Sequence, residues 1–285
     1  MNAIKPPKPE FGQAPVKLAY FDYLLAALKQ GNNVLEQSFG RHVHWGYWPL
    51  PTQASLTLED FMQATENLSQ QVVMAGLVHD GQTVLDVGCG FGGTVAFINE
   101  NFTDMKLTGL NLDERQLSRA KVKVLALPEN QIEFKQGDAC QLPFADQSFD
   151  VVLAVECIFH FADREQFFKE AYRVLKPGGY LAISDFIPTA ACYGWAKIKL
   201  PSWSFFGRCH VDFTQRLYQQ LAQKTQFKIC LETDITANTL PTYAYLRHLA
   251  VHQKITSKRA MLETLGIEVL SKLGWVKYFI FSFQK

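Results

Sequence analysis

The sequence predicts an α/β protein built on a parallel sheet, and three features carry that expectation. From residue 83 onward, short apolar runs alternate with helical patterns, as right-handed strand–helix–strand units do. The first of these runs, Thr83–Val87, passes directly into a glycine cluster (Gly88, Gly90, Gly92, Gly93) and then into a helical pattern. The run Phe149–Val155 reads as an apolar strand, of the kind buried inside a sheet.

The elements follow in order. Residues 1–15 hold four of the twelve prolines and read as a loose arm. Over 16–40 apolar residues recur at helical spacing: Leu18, Tyr20, Phe21, Leu24, Leu25 and Leu28. Residues 42–48, HVHWGYW, read as an ordered aromatic loop. Thr57-Leu58-Glu59-Asp60 has a capping-box pattern and opens a helix to about residue 78. Strands are expected at 83–87, 106–110, 132–135, 149–155 and 180–184, with helices to 101, at 114–127 and at 164–175. Pro177-Gly178-Gly179 breaks the last of these helices. Residues 186–212, rich in Trp, Phe and Pro, look like an inserted cap. A helix at 213–224, a strand at 227–233, helices at 241–252 and 257–272 and a strand at 276–283 complete the pattern. The division this suggests is an N-terminal arm and helical lid over 1–78 and a core over 79–285, with cap insertions near 187–212 and 238–274.

Composition narrows the function. Of 285 residues, 48% are apolar and 19% charged, enough to fill a core. Lys plus Arg number 28 and Asp plus Glu 27, so the positive field that phosphate binding needs is absent overall and no nucleic-acid partner is expected. No run of about 18 apolar residues suggests a membrane span, and the first residues lack a secretory apolar stretch. The six cysteines are scattered, which fits reduced thiols in a cytoplasmic protein. The histidines show no metal-ligand spacing, so no metal is expected.

The glycine loop carries the first chemistry. In VLDVGCGFGG the glycines allow a tight turn and let a ligand approach the main chain. Gly88, Gly90 and Gly93 also match the dinucleotide fingerprint, which keeps an NAD-linked oxidoreductase open. Against it stands Asp86, two residues before the first glycine, where an anion repels a pyrophosphate and favours a cation. The acidic residue expected about 20 positions on to hold a ribose diol is replaced by Asn111, with Asp113 close by.

VLDVGCGFGG, followed by LTGLNLDERQL, GDACQLPFADQSFDVVLAVECIFHF and VLKPGGYLAISDF, resembles the class I S-adenosylmethionine (SAM)-dependent methyltransferases. The branch is that of small-molecule enzymes of the ubiquinone, tocopherol and natural-product tailoring type. The resemblance covers roughly residues 42–186. It implies a doubly wound, Rossmann-like, seven-stranded, mostly parallel sheet whose last strand inserts antiparallel, with a helical N-terminal lid and an inserted cap. It also implies SAM as cofactor and S-adenosylhomocysteine (SAH) as product. Asp86, Gly88 and Gly90 would hold the methionine end. Asn111, Leu112 and Gln116 would meet the ribose, an amide replacing the usual carboxylate at the strand end. Asp138 and the Ala139 N–H would read the adenine. Glu156 and Tyr47 complete the expected cofactor contacts, with Tyr47 and Trp48 walling the pocket by cation–π attraction. His42 and His44 read equally as lid contacts to cofactor or substrate and as packed loop residues.

Ligands of open α/β sheets sit at the carboxyl ends of the strands. His160 follows the fourth strand and Asp185 ends the fifth. In family members with an equivalent histidine it removes a hydroxyl proton, sometimes with an acidic partner, so His160 and Asp185 are the expected catalytic pair. The alternative for His160 is packing between Phe159 and Phe161. The aromatic stretch 193–203, with Phe205, Phe206, Lys197 and Lys199, suggests a large, partly apolar or carrier-bound small-molecule acceptor, although apolar content alone does not separate pocket from core. The expectation is O-methylation of a natural product of polyketide, peptide or glycoside type. Carbon or nitrogen methylation, and a SAM-binding protein without catalysis, are the alternatives. Oligomeric state is not legible.

Overall fold

The computed structural model describes residues 18–189, 213–252 and 258–285. The aromatic cap stretch 193–203, Phe205 and Phe206 lie outside the described residues. Seven strands form one sheet: β1 Thr83–Val87, β2 Lys106–Asn111, β3 Gln131–Gln136, β4 Phe149–Val155, β5 Leu175–Pro188, β6 Lys228–Asp234 and β7 Val276–Gln284. Their order is β3-β2-β1-β4-β5-β7-β6, and β7 runs antiparallel to both its neighbours. The chain reverses its direction of travel across the sheet between β1 and β4. Both strands therefore send their following loops away from each other, and a crevice opens between their carboxyl ends.

Helices cover both faces. On one face α6 (Arg164–Val174) and α7 (Gln215–Lys224) pack Phe167, Phe168, Tyr218 and Leu221 against Leu85, Val152, Leu181 and Phe281. On the other, α3 (Leu58–Ala75), α4 (Gly93–Asn101) and α5 (Glu114–Lys123) bring Leu68, Val72, Val95, Ile98 and Leu117 against Val84, Leu153, Ala182 and Ile280. Successive strand residues point to opposite faces. In β5 this sends Ala182, Ser184 and Phe186 to the α3 face and Leu181, Ile183 and Asp185 to the α6 face.

A third apolar cluster lies under the N-terminal helices that were expected to form a lid. It joins Phe21 and Leu24 of α1 (Ala19–Lys29), Leu35 of α2 (Asn33–Phe39), Trp48, Phe61 and Phe91 to Tyr245 and Leu249 of the late insertion helix Pro241–His252. The helix α3 serves two cores, with Phe61 and Ala64 in the lid and Leu68 to Val73 on the sheet.

The helical run expected over 16–40 is two helices. Gly31, at φ +78°, breaks it, and the Asn32 side chain caps α2 by accepting the Leu35 N–H at 3.0 Å. Only half of the expected capping box forms. Thr57 Oγ1 accepts the Asp60 N–H, but the Asp60 carboxylate turns to the Leu56 N–H and the Trp48 indole N–H, both at 3.0 Å. The fifth strand is longer than expected at both ends: Leu175 already pairs with Phe149 before Tyr180 meets Val151, and Asp185 to Pro188 continue the ladder with β7. Among the described residues, no helix is long and apolar enough to cross a membrane.

One buried ion pair ties the α6 face together. Asp185, fully buried, accepts the Tyr218 O–H at 2.5 Å, while Arg164 Nη2 lies 3.1 Å from the same oxygen. Removing one partner leaves an uncompensated charge. Asp185→Ala should therefore lose about 3–5 kcal/mol of stability in urea denaturation. The double replacement Asp185→Leu, Arg164→Met should recover a large part of that loss; an Asp185→Ala variant as stable as the parent would show that the pair contributes nothing.

Candidate active site

The crevice is built first by the loop after β1. Gly88 (φ +74°) and Gly90 (φ +56°) both adopt the left-handed conformation that L side chains avoid. Their surroundings differ. A Cβ at Gly88 would stand 2.8 Å from the Cys157 side chain, so this glycine is required by packing. A Cβ at Gly90 would meet only Gln116 Oε1, at 3.9 Å, so the main chain there faces open space that a ligand can enter. Gln116 is buried and accepts the Asn111 side-chain N–H at 2.8 Å. The pair leaves the Asn111 carbonyl oxygen for a diol, with the Gln116 amide N–H turned toward the Asp113 carboxylate, and places Gly90, Asn111 and Gln116 around one space. Leu112 is 53% exposed, and its carbonyl accepts from Gln136.

Asp86 is 3% exposed, and no described side chain pairs with it. Burial pushes its carboxyl up to about 8. A group in this state calls for a cation or a proton. The neighbouring Cys89 and Cys157 thiols are raised by burial first and by Asp86 second, which keeps them protonated and poor nucleophiles. Asp138 forms the turn after β3, its Oδ1 accepting the Cys140 N–H at 2.8 Å, and Ala139 beside it is buried.

Glu156 follows β4 directly with φ +49°, a conformation rare outside glycine. The left-handed turn brings its carboxyl to the face of Ser184, not that of Asp185. There Oε2 accepts the Tyr278 O–H at 2.6 Å and the Trp45 backbone N–H at 2.9 Å, and the Glu156 N–H donates to Ser184 Oγ. Burial first, against those hydrogen bonds, pushes this carboxyl up to about 8. His160 follows on a short 3-10 turn, Ile158–His160, half-buried. Its ring stacks 6.3 Å from Tyr20 of the lid and lies 4.4 Å from Phe159.

Two expectations change. Asp185 was expected to orient His160 or touch substrate. The alternation of β5 instead turns its carboxyl to the α6 face, where Arg164 and Tyr218 hold it. Trp48 was expected to wall the pocket; it is buried in the lid cluster, with its indole N–H on Asp60. Tyr47 is half-buried against the α3-face core, its backbone tied to Ala64 and Asn67. The aromatic residue of that loop which reaches the site is Trp45, bonded to Glu156 and set edge-on to Phe186 and Tyr243. His42 and His44 are packed under the glycine loop: Ser69 lies within 3.3 Å of both rings, His42 Nε2 is 3.0 Å from Glu66, and burial lowers His44 to about 3. Tyr278 and Ser184 were missed, because an apolar strand pattern gives no sign of which hydroxyl faces a site.

An open sheet with a glycine turn, an amide pair and an unpaired buried acid at its switch point makes a crevice suited to a cationic ligand. Comparison with known proteins gives the class. The family profile described as methyltransferase domain matches residues 85–183. The methyltransferase GfsG of Streptomyces halstedii is 33% identical over 218 residues, covering 75% of each chain. An O-methyltransferase of Pyrenophora dematioidea is 37% identical over 200 residues, covering 70% of this chain and 73% of its own. Among solved structures, mycolic acid cyclopropane synthase CmaA1 complexed with SAH and CTAB superposes with a TM-score of 0.71 at 18% identity, over 93% of this chain and 98% of its own. The chain belongs to the class I SAM-dependent methyltransferases of the small-molecule branch, and the NAD-linked alternative falls away.

The residues fit SAM. Gly90 leaves space, Asn111 offers a hydrogen bond to a diol, and Asp86 lacks a cation that an α-ammonium would supply. The folded-state carboxyl of Asp86 lies above its ordinary unfolded value of about 4, so its contribution to stability falls as pH rises from about 4 through about 8. Asp86→Asn should therefore gain stability relative to the parent as pH is raised from about 6 to about 8, measured by urea denaturation without cofactor. The same variant should lose affinity for SAM. A parallel pH response in both proteins would contradict the burial of an unpaired carboxyl.

Proposed function

We propose that this methyltransferase O-methylates a hydroxyl of a small-molecule natural product, with His160 as general base. The observation that carries the proposal is the place of His160: at the carboxyl end of β4, half-buried, one turn beyond the glycine-loop contact Cys157 and against Tyr20 of the lid. SAM supplies an activated methyl group on a sulfonium. What the chain must add is alignment, exclusion of water and a destination for the hydroxyl proton. An imidazole titrates near neutrality and can take that proton.

Asp185 acts at one remove. By fixing Arg164 at the start of α6, it anchors the segment from Glu156 to Asp163 that carries His160. The lid helices and Trp45 close the crevice from above, which restricts water. Names among the relatives support oxygen as the methylated atom. An acceptor that is large and partly apolar, free or carrier-bound, fits the aromatic side chains around Trp45, Phe186 and Tyr243. The division into a lid over 1–78 and a core over 79–285 belongs to the same proposal.

The test incubates the protein with methyl-labelled SAM and a panel of polyketide, peptide and glycoside alcohols, and locates the label by mass spectrometry and NMR. Label on oxygen is expected. His160→Ala should lower turnover by roughly a hundredfold or more, with SAH affinity retained. Label on carbon or nitrogen would replace the O-methylation reading, and full turnover by His160→Ala would remove the general-base role.

A further inference from the structure

The carboxyl ends of β1 and β4 hold two acids that no lysine, arginine or histidine side chain neutralises among the described residues. One is Asp86, whose strand pairs with β4 through Leu153; the other is Glu156, three residues beyond that partner. The chain does not lack cations for buried acids elsewhere, since Asp185 on the opposite face has Arg164. The groups facing Asp86 are the Cys89 and Cys157 thiols. Those facing Glu156 are the Tyr278 and Ser184 hydroxyls and the Trp45 backbone N–H, with Asp185 and Tyr243 farther off. All the donors on Glu156 are neutral and fall on Oε2. Its Oε1 accepts no hydrogen bond among the described residues. The carboxyl is thus oriented without being neutralised.

Two unneutralised acids at one strand end ask for two positive charges. The methionine end of SAM carries two, the α-ammonium and the sulfonium. On the methyltransferase reading, we infer that Asp86 receives the ammonium and Glu156 faces the sulfonium, so that Glu156, positioned by Tyr278, makes the site prefer SAM over SAH. Methyl transfer breaks the sulfonium C–S bond and leaves its electron pair on a neutral thioether, while the acceptor gains the methyl group and gives up its proton. The ammonium survives this change and the sulfonium charge does not. Glu156 therefore loses its counter-ion on transfer and Asp86 keeps its own, which loosens product relative to substrate.

Isothermal calorimetry with SAM and SAH tests this without an acceptor. The parent protein should bind SAM tighter than SAH by about tenfold or more, as one added charge pair in a partly screened site allows. Glu156→Gln should abolish that preference while leaving SAH affinity within about twofold. Tyr278→Phe, which keeps the carboxyl and removes the hydroxyl that aims it, should narrow the preference with SAH affinity retained. Asp86→Asn should weaken both ligands together. Retained SAH binding shows that the Glu156 and Tyr278 variants are folded, and a cooperative urea transition shows it for Asp86→Asn. A parent without preference for SAM, or a Glu156→Gln variant with an unchanged ratio, would overturn the assignment of Glu156 alone. Failure of the folded parent to bind either ligand would overturn the cofactor reading beneath it.

Discussion

A carboxylate buried without a cation beside it is held at a cost, and Asp86 is held that way at the switch point of the sheet. The reversal of strand order between β1 and β4 opens the crevice. The glycines after β1 keep side chains out of it, and Gly90 leaves the main chain facing space. Asn111 and Gln116 face that same space and offer only neutral hydrogen bonds. The electrostatic demand of the crevice therefore rests on Asp86 and Glu156, and it is a demand for cationic ligand. A pyrophosphate would aggravate the same burial that an ammonium relieves.

The opposite face of the sheet shows the other way of burying an acid. Asp185 is as deep as any described residue, yet Arg164 and Tyr218 accompany it. One residue earlier, Ser184 faces the site and bonds to the Glu156 N–H and the Tyr278 hydroxyl. The two-residue period of one strand thus separates the acid paired with Arg164 from the hydroxyl network around Glu156. Glu156 crosses that divide only because its left-handed backbone redirects it, the kind of local strain that persists where surrounding structure fixes it. The aromatic loop contributes to the same network, since the Trp45 N–H donates to Glu156 Oε2.

Much of the fold was legible because its signals are local. Each strand is a short apolar run, each helix has its own period, and the glycine turn is contiguous in sequence. The misreadings arose where a local signal had a distant competitor. Asp60 fits a capping box, but the Trp48 indole and the Leu56 N–H claim its carboxylate. Trp48 and Tyr47 sit in an aromatic loop beside the site, yet the lid core takes Trp48 and leaves Trp45 to reach Glu156. For His42 and His44, open between ligand contact and packing, packing prevails: Ser69 hydrogen-bonds to both rings and Glu66 lies 3.0 Å from His42 Nε2.

The sequence by itself determined the class of fold and the cofactor. A strand ending in an acid and a glycine turn has few other structural uses, and its spacing to the later strands is written along the chain. Only the tertiary structure decided which buried acids are paired with a cation and which are left without one. That choice depends on strand alternation, on a backbone turn at Glu156, and on partners more than a hundred residues away, such as Tyr278. Pairing across a sheet is a long-range property. The charge that Arg164 gives to Asp185, and that no described residue gives to Asp86 or Glu156, exists only once the strands are side by side.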